Sequence, residues 1–535
     1  MQDTKHPQRK KRPGPMEARK LPTNTPFAEA RREFDGLMTA LVSVECLKMT
    51  HSELEALIET QGREVLRKLL EEHLAQRGGG QATEPVVGED QVLRTHQRRR
   101  PVNLVSTLGE VTVERVGYGQ RDVDSRFVLD AELNLPPDSY SLGLRRKVAY
   151  EAAKGSFDDA VEAVRQATGV AVPKRQAEEL ARRAAVDFDA FYEQRSLGDK
   201  SPTSEVLVIT TDGKGISMRH DSLRPATQKA AEERRPRLEK RRSKGEKTAT
   251  RRMAQVAAVY TIAPYVRSAE DVAGTLGPSA IAPEHKPPAR PRPEHKRVWA
   301  SVNSEAWDVI DAAFEEAHRR DPSRQKRHVV LVDGGEHQLE GVLLACGRAR
   351  THVTVIVDVI HVLEYLWGAS TALHGEGFPE TEAWVTERLL RLLRGQVSGV
   401  AAGMRRSATK RALTPERRRP IDRCADYLLK YAEYLRYDEY LAAGFPISTG
   451  VIEGACRYLV KDRMDITGAR WSLDGAEAVL RLRALKASDD FDTYWAFHEQ
   501  EELRRNHLER YAGKAIPKTK NSSKSGRKPN LSIVP

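Results

Sequence analysis

Apolar positions recur at helical spacing from residue 26 to about 74: Phe34, Leu37, Leu41, then Leu54, Leu57, Ile58, then Val65, Leu66, Leu69 and Leu70. Gly78, Gly79 and Gly80 close this helical unit. The period changes over 102–118, where Val111 and Val113 alternate with polar residues after Leu108-Gly109-Glu110; this predicts a short hairpin. Helical spacing returns over 144–195. Gly155-Ser156 interrupts it, and Ser156 with Asp159 predicts a capping box opening the next helix. A second break at Thr168-Gly169 leads to Pro173, suited to a first helical turn.

Buried strand runs follow. EVLVITT (205–211) ends in Asp212-Gly213, and AQVAAVYTIA spans 254–263. A Pro-rich loop is expected over 276–296, then a helix over about 304–319. HVVLVDGG ends its strand in Asp333-Gly334. A helix over about 338–347 leads into THVTVIVDVIH, a strand through Val357 that delivers Asp358. From 362 to about 443 the pattern is helical and charged, and Glu453 opens a helix after the loop FPISTG. The chain thus predicts a mixed α/β core interrupted by an all-α insertion and preceded by mainly helical N-terminal regions. The expected segments are a disordered basic tail (1–25), a helical region (26–100), and a hairpin with a helix-turn-helix-like region (101–200). A first core part (201–361), the insertion (362–447), a second core part (448–512) and a basic C-terminal tail (513–535) complete them.

Composition narrows the class. The chain has 535 residues, 39% hydrophobic and 31% charged, which suits a globular protein. No apolar run approaches about 18 residues, so no membrane-spanning helix is expected. The basic N-terminus has no apolar segment behind it, so no secretory signal is expected. Four cysteines far apart exclude a dense disulfide framework and a CxxC zinc ribbon. A reducing bacterial cytoplasm is the expected compartment.

Net charge is +12. The excess collects in four blocks: the first twenty residues, 234–252, 405–419 and 514–528. Single charge runs are commonly solvated faces; four in one chain suit double-stranded DNA as partner. Lys174 and Arg175 open the third helix of the 144–195 unit, where a helix-turn-helix would place its recognition helix. An ordinary three-helix packing unit reads equally from the same spacing.

Asp212 and Asp333 each end a buried strand and precede glycine. Strand ends hold catalytic groups firmly, and glycine leaves space beside them; Asp-Gly is also a good turn pair. Three carboxylates without cysteine partners suit a hard cation such as Mg²⁺ or Mn²⁺. Two such ions about 3.5–4 Å apart can clamp a phosphoryl displacement.

ITTDGKGI, VVLVDGG, DVIHVLEYLW and STGVIEGACRYLVKDRMDITGARWSLDGAEAVLRLRAL resemble DDE transposases of bacterial insertion sequences. The resemblance is to the Kra-type insertion-sequence family, with a core related to Mutator-like elements, and covers roughly 100–510. It implies an RNase H-like core with a helical insertion before the final Glu, and Mg²⁺-dependent cleavage and strand transfer at element ends. It also implies a triad of Asp212, Asp333 and Glu453. The first pair lies 121 residues apart and the second 120. Mutator-like cores carry a C/D-x-x-H motif about 25 residues after the second Asp, and Asp358-Val-Ile-His361 matches it. Asp358 also ends a strand and is the alternative second ligand; the motif match favours Asp333 as the metal ligand, with Asp358 and His361 accessory. His361 either orients the DNA strand or satisfies a core carboxylate.

On an α-helix Arg457 and Lys461 fall on the Glu453 face. Arg457 would pair with Glu453, or both cations would hold phosphates. Arg470 and Trp471 are further DNA candidates; Trp471 would stack on an unpaired base or lie in the core. Joining two element ends requires at least a homodimer. A structure-specific RNase H-like nuclease and a non-catalytic DNA-binding derivative of a transposase are the rival readings.

Overall fold

The computed structural model describes residues 26–195, 205–233, 250–277, 289–350, 352–466 and 468–520. The chain forms two compact units, one of 1–144, 168–170 and 502–535, the other of 145–167 and 171–501. The tails at 1–25 and 521–535, most of the 234–252 basic block and most of the Pro-rich segment lie outside the described residues.

In the first unit, helices Ala28–Leu41 and His51–Gln76 form a hairpin. Thr50 and Glu53 cap the longer helix reciprocally, which fixes its start. The expected hairpin forms from β2 (Val102–Ser106) and β3 (Gly109–Val113), in register Val102↔Val113. A second sheet was not legible: β1 (His96–Arg99), β4 (Val116–Gln120) and β5 (Val123–Phe127), all antiparallel in the order β1-β4-β5. β1 reads HQRR with every residue exposed, so it carries no apolar alternation. Helix ends at Gln76 and a glycine turn, and 81–95 holds no further helix. Residues 518–520 run beside 81–83, with Ala82 bridging Thr519.

The second unit is mixed α/β. Its sheet has five strands: β6 (Val206–Ser217), β7 (Arg251–Ile262), β8 (Glu294–Ser301), β9 (Arg327–Val332) and β10 (Val353–Val357), in the order β10-β9-β6-β7-β8. β6, β7 and β8 are antiparallel neighbours; β9 and β10 run parallel to β6. Val206–Ile209 and Val329–Val332 are wholly buried, as continuous apolar strand runs require when both sheet faces are covered. Helices Ala306–Arg320, Glu336–Ala349, Val359–His374 and Leu473–Ala487 belong to this unit.

Between β10 and Glu453 the chain is helical, as expected: Pro379–Leu393, Val397–Lys410, Pro415–Lys430 and Tyr437–Ala442 follow the long helix after β10. The 405–419 block lies on this insertion and much of its charge is engaged. Arg405 meets Asp426, Arg418 lies 3.0 Å from Asp422, and Arg411 and Arg417 donate to the carbonyls of Leu373 and Ala372. Among the described residues no helix is long and apolar enough to cross a membrane.

Candidate active site

The sheet sets the acids at one end. β6 and β9 pair up to Thr210↔Leu331, and β9 and β10 up to Val332↔Val357. Asp212 lies two residues beyond that β6–β9 pairing, and Asp333 and Asp358 are the first residues past β9 and β10, so the three acids gather at the same end of three neighbouring strands. The Asp358 N–H donates to the Val332 carbonyl at 2.8 Å, continuing that ladder.

Asp212 does not end its strand. β6 runs on to Ser217 because β7 pairs with it the whole way, Asp212 opposite Val256. Asp212-Gly213 is therefore not a turn, and the local turn reading fails against an antiparallel partner the sequence did not announce. One Asp212 oxygen accepts the Gly213 N–H at 2.6 Å; the other accepts the thiol of buried Cys456 at 3.2 Å.

Asp333 sits in a loop between β9 and helix Glu336–Ala349. Its carboxylate accepts the Gly335 N–H at 2.8 Å, and its own N–H donates to Gln338 at 3.1 Å. Gln338 also binds Thr211, tying the loop to β6. Gly334 has φ +86°, and a Cβ there would lie 2.6 Å from the Tyr427 hydroxyl. Glycine is thus needed for conformation and for space. Tyr427, from the insertion, donates to the Asp333 carbonyl at 3.2 Å and stacks on Tyr365 at 4.0 Å between centroids.

Asp358 is fully buried. It caps helix Val359–His374 through the Ile360 N–H at 2.8 Å, and its other oxygen takes the Thr449 hydroxyl. Burial pushes its carboxyl above the ordinary value. Thr449 also lies 3.4 Å from a Glu453 oxygen. A single hydroxyl proton serves one of the two carboxylates at a time. Partial burial, then the charge of Asp358, raise the Glu453 carboxyl; Asp212 adds to this, while Thr449 and His361 oppose it.

His361 stands on the first turn after Asp358, half-exposed, with Nδ1 3.3 Å from Glu364. Its field favours the charged forms of both Asp358 and Glu453.

Past Glu453 the helix Gly450–Ala455 widens into a π-turn over Cys456–Lys461. The α-helical phase that put Glu453, Arg457 and Lys461 on one face does not hold through it. Arg457 reaches 3.9 Å from Asp462 instead of pairing with Glu453, and its side chain is 80% exposed. Lys461 and Arg470 are exposed. Trp471 is buried: its indole N–H donates to the Met464 carbonyl at 3.0 Å, and it packs by Phe157 with the Arg463 guanidinium over its ring. Base stacking by Trp471 is therefore set aside.

The expected three-helix run is Leu142–Lys154, Phe157–Thr168 and Lys174–Ala184. The Ser156–Asp159 capping box forms at 3.0–3.1 Å. The last helix buries Ala177, Leu180, Ala181 and Ala184 and packs on Leu473–Ala487. Its N-terminal end stays exposed: Lys174 pairs with Asp158 at 2.6 Å, and Arg175 faces solvent.

The donors fit a hard cation in kind, since they are carboxylates alone. They do not form a ready-made cage: among the described residues no three His, Cys, Asp or Glu side chains are arranged to hold a metal. Asp212 and Asp333 each turn a carboxylate oxygen onto a following backbone N–H. Thr449, Cys456, Gln338 and Tyr427 are the site residues that sequence reasoning missed. Thr449, at the cap position four before Glu453, was the one with a local signal. No protein-family model matches the chain, and no curated protein matches it in sequence.

Proposed function

We propose that the chain is a DDE-type DNA transposase with an RNase H-like core, cutting and joining phosphodiesters at the ends of a mobile element. The observation that carries this reading is the gathering of three aspartates at one end of three neighbouring strands, Asp212 within β6 and Asp333 and Asp358 just past β9 and β10, with Glu453 in the field of Asp358 and Asp212. The mixed sheet and the helical insertion before Glu453 support it, because the resemblance implies both. So does the setting that raises Glu453, partial burial first and then the charges of Asp358 and Asp212, which a bound cation would relieve.

Asp212, Asp333 and Glu453 would hold Mg²⁺ or Mn²⁺. When bound, the metal supplies an activated water and charge neutralisation at the scissile phosphate. Asp333 is the better second ligand. It is half-exposed, whereas Asp358 is buried with both oxygens engaged. Asp358 and Thr449 position Glu453, and Cys456 holds Asp212. Lys174, Arg175, Lys461, Arg457 and Arg470 are exposed cations suited to phosphate contacts, which orient a duplex without reading its sequence.

The test is Mg²⁺-dependent nicking of a plasmid carrying the gene's native flanks. Cuts at the element boundaries, lost in Asp212→Asn and Asp333→Asn while flank binding persists, support the proposal. Folded wild type that binds the flanks but never cuts them overturns it in favour of a DNA-binding derivative. Cutting at branched structures regardless of flank sequence would favour a structure-specific nuclease.

A further inference from the structure

Helices Ala28–Leu41 and His51–Gln76 are antiparallel: the Glu72 carboxylate accepts the N–H groups of Glu29 and Ala30 at 3.0 and 3.2 Å. The far end of the longer helix is fastened to β3. Arg67 donates to the Glu110 carbonyl at 3.1 Å, Glu71 accepts the Thr112 N–H at 3.2 Å, and Leu74 is buried with Val111 and Val113. A helix of 26 residues is about 39 Å long, so its first half extends well beyond that anchor.

Along the two helices and their tip an apolar stripe is exposed. Phe34 is 50% exposed, Met38 51%, Ile58 46% and Leu66 49%; at the hairpin tip Val42 reaches 74% and Leu47 76%. A groove between the two helices is lined by Phe34, Leu37, Ile58, Gly62, Val65 and Leu66, with the Glu59 and Arg63 side chains at its edge, in an ion pair with each other. Single exposed apolar residues are ordinary on a protein surface; a contiguous stripe of them marks an interface. Gly62 lies on this stripe, mid-helix, and a Cβ there would meet nothing within 4 Å. Glycine weakens a helix interior, but it lets another backbone come close.

We propose that this face docks a second copy of the chain. Residues 26–76 hold ten acidic and six basic side chains in a protein of net charge +12, so the hairpin repels a nucleic acid. Two identical apolar stripes suit a self-complementary, two-fold contact. Six such side chains at on the order of 100 Å² each supply most of the roughly 800 Å² per partner of a standard interface.

Sedimentation velocity of the full chain tests this, over protein concentrations around 10 μM, a range in which micromolar contacts are populated. Wild type is expected at twice its 60.0 kDa mass. Phe34→Glu with Ile58→Glu is expected to raise the dimer dissociation constant by about 100-fold or more, with unchanged helical circular dichroism. Gly62→Gln adds no charge and improves helix propensity, so it cannot act by unfolding the hairpin; it is expected to weaken the dimer by blocking close approach. A monomeric wild type overturns the proposal, as do folded variants that remain dimeric. DNA cleavage is not read, so the outcome stands apart from the assignment of the acids.

Discussion

Asp333 and Asp358 follow similar strands, VVLV and VIV, each the first residue past paired neighbours β9 and β10. Their environments differ because of what comes next. After Asp333, Gly334-Gly335 hold the chain in an open loop, and the carboxylate stays half-exposed. After Asp358, a strongly apolar helix begins at once, buries the acid and uses it as a cap. The same strand-then-acid pattern therefore yields one group available to a ligand and one committed to structure.

The largest expected effect falls on chemistry. Asp212→Asn, Asp333→Asn and Glu453→Gln should each lower metal-dependent cleavage by about a thousandfold or more, since each removes several kcal/mol of charge stabilisation. Thermal unfolding of Asp333→Asn should stay within about 2 °C of wild type, as for a surface change.

Asp358 should answer in the opposite manner. Asp358→Ala removes a helix cap and the buried hydrogen bond from Thr449, so urea unfolding should show a loss of about 2–4 kcal/mol. Equal losses for Asp333→Ala and Asp358→Ala would erase the distinction between the two sites.

Gly334→Ala comes next. It forces a side chain into positive φ and against Tyr427, at about 1–3 kcal/mol. Cleavage should fall with stability, because the strain is applied beside Asp333.

A smaller signature is pH dependence. Burial raises the folded-state pKa of Asp358 above its unfolded value of about 3.9. A raised acid contributes fully below the unfolded value, and that contribution is lost as pH rises through the folded one. Stability measured upward from about pH 4 should therefore decline less steeply in Asp358→Asn than in wild type. An unchanged slope would mean that this carboxyl is not the titrating group.

Smallest of all is Cys456→Ala, which frees one Asp212 oxygen; cleavage should drop by no more than about tenfold, a loss on the scale of one hydrogen bond. Cys456→Ser, which restores a donor, should recover most of it. Failure of serine to do so would make the thiol a packing group only.

The strand runs around 206–211, 328–332 and 353–357 were legible because each is apolar and β-branched enough to be buried on both faces. The insertion was legible from its helical period, and the Ser156–Asp159 cap from local chemistry. Strands β1, β4 and β5 were not, because HQRR and VGYGQ have no apolar alternation and find their partners only by pairing with each other. The continuation of β6 past Asp212 depends on β7, about 40 residues later in the chain. The sequence left Trp471 between base stacking and the core; Phe157, more than 300 residues earlier, and Arg463 enclose it.

Sequence by itself determined which residues are candidates: acids in or just after buried strands, cations at helix starts, and apolar positions along the first two helices. These follow from local periodicity and residue type. Tertiary structure decided which acid is buried and which is open, that Thr449 lies between Asp358 and Glu453, and that Cys456 meets Asp212. It also decided that the N-terminal stripe is exposed among the described residues. Burial and field depend on elements brought together from distant parts of the chain, and neither is written in the neighbours of a single residue.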